Sequence, residues 1–392
     1  MFEKVLVGSK RYWGWIGLLV AIILVGLYFY LRQLNYGLGI TGMSRDVSWG
    51  LYIAHLTFFV GVAASAVMVV LPYYLHNRKE FGKIVAFGEF LAVSAVIMSV
   101  LFVLVDLGQP ARVFNLFRYP TLTSPLFWDT VVLSVYMLLN LFIAWNTLDA
   151  ERKGEQPLPW VKPLILISIP WAISIHTVTA FIYSGLVART FWMTALLAPR
   201  FLASAFASGP ALLIILALIV KKTTKVDPGK VALQRLSEIV IYALLATIFF
   251  LLVELFTTYY GQMPEHLKHF QYLFFGLEGH GRLVPWMWAS VILSLAGLGL
   301  LINPGTRKNL GTLAGACVAV FISIWIDKGL GLIVPGFIPS PTGQVTEYWP
   351  TIPEVFITLG VWAVGFLVLT VLFKVAIAVK EGVSDTKQDS AH

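Results

Sequence analysis

The stretch VLVDLGQPARVFNLFRYPTLTSPLFWD (residues 103–129) joins two long apolar runs and places an acidic residue at each junction. Asp106 ends the first run, and Asp129 opens the second. A carboxylate costs about 2.5–3.5 kcal/mol at the centre of a membrane and less near its edge, so it needs a partner, a proton or a function. The prolines and aromatic residues between the two acids indicate a short ordered loop. The stretch therefore predicts two membrane helices with two acids at one polar boundary.

The composition indicates an all-α integral membrane protein. Of the 392 residues 58% are hydrophobic and 12% are charged, and the mean hydropathy is +0.82, whereas soluble domains contain about 25% charged residues. The net charge of +8 is spread over short loops and forms no single basic patch, which argues against nucleic-acid binding. Cys317 is the only cysteine, and an iron–sulfur cluster needs about four thiolates. Any such cluster must belong to a partner.

The apolar runs predict ten membrane helices, since a hydrocarbon core of about 30 Å needs about 20 residues per helix. They lie at residues 13–31, 47–75, 85–107, 125–146, 161–187, 199–220, 236–260, 284–303, 311–334 and 352–379. The first run is interpreted as a retained helix, because no small-residue cleavage pattern follows it. We expect one polytopic domain over residues 1–380 and a disordered cytoplasmic tail over residues 381–392.

The distribution of basic residues predicts the orientation. Most of the 28 lysine and arginine residues fall near the termini and in the even-numbered connections, which is the pattern of cytoplasmic segments. Both termini are therefore expected in the cytoplasm, and the protein is expected to be a multi-pass protein of the cytoplasmic membrane. The longer outer connections, 261–283 and 335–351, are rich in Pro, Gly and aromatic residues, which is typical of a surface that receives a partner.

Several ionisable residues are expected at similar depth, toward the outer side, at 1.5 Å per helical residue. They are His55, Asp106, Asp129, His176 and Glu254. Each also has a structural interpretation: a histidine can be a hydrogen-bonded packing residue, Asp106 can pair with Arg112, and Asp129 can be an acid at a helix N-terminus. Glu254 has no countercharge nearby in the sequence.

Asp327 and Lys328 form a further pair, near the predicted outer end of the ninth run. We interpret them as boundary residues whose side chains extend toward water.

Three kinds of site can use such residues. A haem b needs two axial ligands, and His55 and His176 are the only histidines expected inside the membrane, so at most one haem is possible. A transporter site favours broken helices and polar residues at the midplane, whereas these residues favour one face. A quinone site needs an aromatic cleft open to lipid, a hydrogen-bonding group near each carbonyl, and acids that accept protons. The sequence contains all three parts, which favours a quinone site.

Five segments resemble the NrfD/PsrC family, the quinone-reactive membrane subunits of polysulfide reductase-type complexes. The segments are 49–70, 106–129, the fifth run through His176, 254–261 and 324–354. The likeness extends over about residues 45–355. The ten-span length is closest to the branch that contains DsrP of the sulfite-reduction-linked DsrMKJOP complex, and it is also similar to HybB.

The resemblance implies two four-helix bundles, at about residues 47–187 and 199–334, with the first and last helices outside them. It implies a menaquinone pocket in the first bundle near the outer face, no haem or iron–sulfur cluster in this chain, and an iron–sulfur ferredoxin-like subunit at that face together with further redox subunits. The chain would be a subunit that exchanges electrons between menaquinol and its partner, not a stand-alone enzyme. An ion- or proton-translocating module and a pure membrane anchor remain the alternatives.

The resemblance also implies roles for individual residues. Asp106 and Asp129 are the expected catalytic pair, and no metal ligand is expected. The expected quinone-binding residues are His55, Asp129, His176, Trp128 and Arg112. The expected proton path contains Asp106, Glu254 and Asp327. Relatives in the alternative complex III branch have His where Asp106 stands, which leaves open whether Asp106 binds quinone or only carries protons.

Overall fold

The protein is a bundle of ten long apolar helices, seen in a computed structural model that describes residues 6–389. The helices are α1 Lys10–Tyr36, α2 Leu51–Tyr74, α3 Val85–Asp106, α4 Pro125–Lys153, α5 Val161–Ser184, α6 Leu197–Thr223, α7 Lys230–Tyr260, α8 Val284–Ile302, α9 Leu310–Phe337 and α10 Ile352–Asp389. Each is long and apolar enough to cross a membrane, which confirms the predicted all-α, ten-span fold. The cytoplasmic location of the termini stays a prediction. Of the predicted tail, residues 381–389 continue α10, and residues 390–392 lie outside the described residues.

The helices pack in two groups of four. In the first group α2, α3, α4 and α5 contact one another in sequence, and α2 returns to α5; in the second group α6, α7, α8 and α9 do the same, and α9 returns to α6. The groups meet where α2 contacts α6 and α9 and where α5 contacts α6. Helix α10 packs on α3 and α4, and α1 packs on α10. We call the two groups bundle one and bundle two.

Helix α2 lies at the centre of the molecule. In its most apolar stretch of 18 residues 94% of the residues are buried, whereas in α1 the share is 11%. Glycines allow its close contacts. A Cβ on Gly209 of α6 would lie 2.8 Å from the Ser65 backbone nitrogen, and a Cβ on Gly88 of α3 would lie 2.6 Å from Val69. Both distances are shorter than van der Waals contact, so any larger residue would push the neighbouring helix away from α2.

Helix α9 contains a π-helical segment, Trp325–Leu330, between its α-helical part and a final 3₁₀ turn at Val334–Phe337. A π-segment changes the direction in which the following side chains point and is frequent at functional sites. Here Trp325 reaches α2, whereas Asp327 reaches α6. One short segment thus contacts both bundles.

The five longer connections lie at the same end of the helices, which we call the long-loop end: residues 37–50, 107–124, 185–196, 261–283 and 338–351. A helix at Pro264–Phe274 belongs to this layer. Its His269 shares the Nδ1 proton between the carbonyl oxygens of Pro335 at 2.7 Å and Ile338 at 2.8 Å. Burial lowers the pKa of His269 to about 4, so the imidazole is neutral at pH 7. The long-loop end corresponds to the predicted outer face.

Candidate functional site

A cavity of about 610 Å³ lies between α2, α8, α9 and α10 and reaches the segment before α10. Four tryptophans contribute to its wall, and we call it the aromatic cavity. Its lining residues are Leu51, His55, Leu283, Trp286, Phe321, Ile322, Trp325, Leu330, Tyr348, Trp349, Pro350, Val355, Thr358, Leu359 and Trp362. Trp349 and Leu359 are each 46% exposed on the outer surface of the bundle. The cavity therefore opens toward the lipid side of the protein.

His55 contributes an imidazole to this wall. Its Nδ1–H donates to the carbonyl oxygen of Leu51 at 2.7 Å, and its Nε2 accepts a hydrogen bond from the Trp325 indole at 3.0 Å. The imidazole packs between aromatic rings, with the Phe102 centroid at 4.9 Å and the Trp362 centroid at 5.7 Å. These bonds require the neutral tautomer with the proton on Nδ1. The Nε2 lone pair is consequently the acceptor that a ligand hydroxyl can use if it displaces the indole.

Two further polar groups face the cavity. The Thr358 hydroxyl is buried and has no hydrogen-bond partner, and an orphaned polar group of this kind indicates a missing ligand or water. The Tyr348 hydroxyl accepts from the Leu51 backbone N–H at 2.7 Å and donates to Glu354 Oε1 at 2.8 Å. Burial and the nearby Glu354 raise the pKa of Tyr348, so the phenol keeps its proton and acts as a donor.

Glu354 lies behind Tyr348 and is fully buried. Its Oε2 accepts from the backbone N–H groups of Gly42 at 2.6 Å and Thr351 at 3.0 Å. The second of these bonds is half of a capping box at the start of α10. The Tyr348 hydroxyl therefore connects the Glu354 carboxylate to the aromatic cavity.

Bundle two contains a buried ion network. Arg200 of α6 bonds Glu254 of α7 at 2.8 Å and Asp327 of α9 at 2.7 Å, and all three side chains are at most 12% exposed. Lys328 donates to the Phe201 carbonyl oxygen at 3.0 Å, and its Nζ lies 4.4 Å from the centroid of the Phe201 ring. The countercharge of Glu254 is therefore Arg200, which lies far from it in the sequence.

The interpretation of Asp327 and Lys328 as boundary residues that reach water is wrong. Asp327 is 9% exposed and Lys328 is 3% exposed. The π-segment explains the error, because Asp327 and Lys328 both lie in it and bond groups of α6, the Arg200 guanidinium and the Phe201 carbonyl oxygen.

Comparison with known proteins gives the family. Residues 39–339 match the model of the family described as polysulphide reductase, NrfD. The chain belongs to the NrfD family. The match includes α2 to α9 but ends before α10, which supplies one wall of the aromatic cavity.

Three curated relatives of this NrfD protein extend over nearly the whole chain. A protein of Halobacterium salinarum named as a putative dimethyl sulfoxide reductase membrane subunit is 26% identical, over 91% of this chain and 89% of the relative. The Hdr-like menaquinol oxidoreductase integral membrane subunit of Archaeoglobus fulgidus is 23% identical, over 97% of both chains. A selenate reductase subunit of Mesobacillus selenatarsenatis is 24% identical, over 89% of this chain and 90% of the relative.

The two predicted catalytic acids of this NrfD protein do not line the aromatic cavity. Asp106 ends α3 at the long-loop end; its Oδ1 is buried without a hydrogen-bond partner, and the carboxyl group interacts through space with Glu354. Asp129, 3% exposed, bonds the Thr179 hydroxyl at 2.6 Å inside bundle one. Asp106 thus lies on the Glu354 side of the cavity, while Asp129 lies between α4 and α5.

The other predicted quinone-binding residues are dispersed as well. His176 is fully buried in α5, and neither ring nitrogen has a hydrogen-bond partner. Trp128 is 45% exposed and bonds the Leu122 carbonyl oxygen at 2.7 Å, and Arg112 is exposed at the long-loop end. Of the predicted set only His55 lines the aromatic cavity. The cavity lies between α2, α8, α9 and α10, and the menaquinone pocket in bundle one that the resemblance implies stays a prediction.

Sequence reasoning missed five residues of these sites: Arg200, Trp325, Tyr348, Glu354 and Thr358. Two of them carry a signal. Thr351 and Glu354 have the spacing of a capping box before an apolar run, and Arg200 stands near the start of an apolar run, where a lone arginine needs a partner. Trp325 carries no such signal, because tryptophans are common near the ends of membrane helices.

Proposed function

We propose that this chain is the quinone-reactive membrane subunit of a multi-subunit oxidoreductase and that the aromatic cavity is its quinone site. The observation that carries the proposal is His55: its Nε2 faces a cavity with aromatic walls, at membrane depth, open toward lipid. Ligand sites of this class combine apolar walls with a few polar groups that fix orientation. Menaquinol is the substrate class, because the name of the Archaeoglobus relative contains a menaquinol oxidoreductase.

Oxidation of menaquinol to menaquinone releases two protons to the protein and two electrons to the redox centre of a partner subunit. His55 Nε2 accepts a hydrogen bond from one hydroxyl, and the Trp325 indole and the Thr358 hydroxyl are the donors for a carbonyl. Tyr348 and Glu354 begin a proton exit toward the long-loop end. Asp106 is the next acceptor on that side, in keeping with the proton role expected for it.

The partner is an iron–sulfur subunit of ferredoxin type at the long-loop end, with further redox subunits beyond it. Relatives named as subunits of selenate, tetrathionate and dimethyl sulfoxide reductases support a complex of this kind, and the resemblance to DsrP favours a link to sulfur metabolism. The loop 107–124 exposes Phe114, Phe117 and Tyr119 beside two arginines. Such a surface suits a docked protein.

The test measures menaquinone bound to the purified complex in lipid nanodiscs. We expect His55→Phe and Thr358→Val each to weaken binding about tenfold, because each removes one hydrogen bond of about 1–1.5 kcal/mol. The matched control is Thr370→Val, in the same helix but outside the cavity, where the hydroxyl bonds Phe366. Wild-type binding in both site variants would refute the aromatic cavity as the quinone site.

A second candidate function is ion translocation, which the buried network of Arg200, Glu254 and Asp327 favours. Membrane-embedded charges of this kind commonly mark ion or proton routes. Glu254→Gln in proteoliposomes separates the two functions. Loss of proton uptake with unchanged quinone binding would assign translocation to bundle two, whereas unchanged uptake would leave the network a structural role.

A further inference from the structure

A second cleft, of about 570 Å³, lies between α7, α8 and α9 beneath the helix at Pro264–Phe274. Its mouth is apolar and open to the lipid side, since Leu252 is 58% exposed, Phe275 72% and Trp288 46%. Its floor is polar and contains Thr247, Ser290, Ser294, Ser323 and Asp327. We call it the serine cleft.

The polar floor lies deep in the membrane. At 1.5 Å per residue, Ser294 is about 15 Å from the start of α8 at Val284, half of a hydrocarbon core of about 30 Å. A phospholipid keeps its phosphate at the surface, so only an acyl chain would reach this floor and meet its hydroxyl groups. A neutral head group on an apolar tail fits better, because it can descend to the floor while its tail occupies the mouth.

Each hydroxyl group on the floor has an acceptor within the protein, so its proton can be used there. Ser290 has the Ser323 carbonyl oxygen as an acceptor at 2.8 Å, and Ser323 has the Ser290 carbonyl oxygen at 2.8 Å. Ser323 Oγ also lies 2.8 Å from Ser294 Oγ and 3.1 Å from Ser290 Oγ, and in each of these two contacts either hydroxyl can donate. Thr247 donates to the Ala243 carbonyl oxygen at 2.8 Å. A hydroxyl has one donor and two acceptor lone pairs, so groups whose protons are used in this way offer lone pairs to a ligand.

Asp327 adds a carboxylate to the same floor, with Oδ1 held by Arg200. At the mouth the Trp288 indole donates to the Phe274 carbonyl oxygen at 3.0 Å, and the Tyr259 phenol, 39% exposed, is a donor near the surface and not on the floor. The floor thus matches a head group that donates hydrogen bonds. A hydroquinone has two O–H donors, whereas the oxidised quinone has only acceptors.

We propose that the serine cleft is a second site for an isoprenoid quinone and that it selects the reduced, hydroquinone form. The proposal rests on the proposed function in one respect, namely that the chain meets quinones in its membrane. The aromatic cavity differs in offering a hydroxyl without a hydrogen-bond partner, that of Thr358. The π-segment of α9 separates the two sites, since Trp325 lines one and Asp327 the other.

The experiment loads the purified complex in nanodiscs with menaquinone-4, either oxidised or reduced with dithionite, and counts bound molecules per chain by extraction and mass spectrometry. We expect two per chain under reducing conditions and one under oxidising conditions. Ser294→Leu should remove the redox-dependent molecule by filling the floor. Leu252→Trp should remove the same molecule by closing the mouth of the cleft. Leu252 lies at the exposed rim, so a larger side chain there should not disturb folding.

The matched variant for the other site is Leu359→Trp, at the exposed rim of the aromatic cavity, which should remove the other molecule. One molecule per chain in both redox states, lost only in Leu359→Trp, would overturn the second site and leave the proposed function standing. A co-purified phospholipid that disappears in Leu252→Trp would overturn the quinone occupant. No bound quinone in any sample would overturn both proposals.

Discussion

Two buried ionisable residues of bundle one lack the partners that the buried acids of bundle two have. In bundle one the carboxyl oxygens of Glu89 and the ring nitrogens of His176 have no hydrogen-bond partner, although both residues are completely buried. In bundle two Arg200 holds Glu254 and Asp327 with bonds of 2.8 and 2.7 Å. Burial is similar, so the two places differ in whether the buried group has a partner: a buried polar group without one is costly, and an ion pair compensates part of that cost.

The difference suggests different uses of the bundles. A neutral acid or imidazole with free hydrogen-bonding capacity can take up or release a proton without breaking an ion pair. A buried ion network is costly to rearrange, because removal of one partner leaves a charge without compensation. We therefore expect proton exchange to be easier in bundle one, and we expect the ion network of bundle two to act as a fixed electrostatic frame around α9.

Arg200→Met tests the frame and has the largest expected effect. The substitution removes the hydrogen-bonded countercharge of two buried carboxyl groups, which we expect to cost about 3–5 kcal/mol and to lower the thermal midpoint in detergent sharply. The control is Arg235→Met, whose partner Glu238 is on the surface and whose own side chain is 53% exposed. A surface ion pair contributes little, so the control should unfold like wild type. Equal midpoints for the two variants would contradict the frame.

His269 provides an intermediate case, buried but neutral and fully bonded at the long-loop end. Its pKa is about 4 in the folded protein against about 6.5 in the unfolded chain. Between these values the unfolded state binds the extra proton, so stability rises with pH from 4 to 6.5 and is level above about 7. The expected gain from pH 4 to pH 7 is about 3 kcal/mol.

The measurement is chemical unfolding of the long-loop end across this pH range, followed by tryptophan fluorescence. The control is His269→Gln, which lacks the titrating group. The difference between the two curves isolates His269 from other titrating groups. A difference that stays constant from pH 4 to pH 7 would show that His269 does not titrate in this way.

The sequence predicts the fold well because apolar length alone sets the number of helices. All ten helices occur close to the expected residues. The sites are harder, since depth along a helix follows from counting residues but direction around its axis does not. His55 and Asp129 share an end of the molecule, yet His55 faces the aromatic cavity and Asp129 faces Thr179.

The π-segment is the feature that sequence reasoning could not supply. Helical periodicity assumes 3.6 residues per turn, and a π-turn breaks that register within a few residues. It places Trp325 against His55 and Asp327 against Arg200. The segment thus joins the two bundles whose buried groups differ so much, and any change in its register would alter both sites together.

The smallest expected effect comes from replacing one buried glutamate of each bundle by methionine. Glu89→Met replaces an unpaired buried carboxyl group by an apolar side chain of similar shape, which is commonly neutral or stabilising. We expect a change in unfolding free energy of about 1 kcal/mol or less in either direction. Glu254→Met removes a charged hydrogen bond to Arg200 and should cost about 2–3 kcal/mol. Thermal unfolding of both variants in the same detergent gives the comparison, and a larger loss in Glu89→Met than in Glu254→Met would mean that Glu89 is charged and has a partner in the working protein.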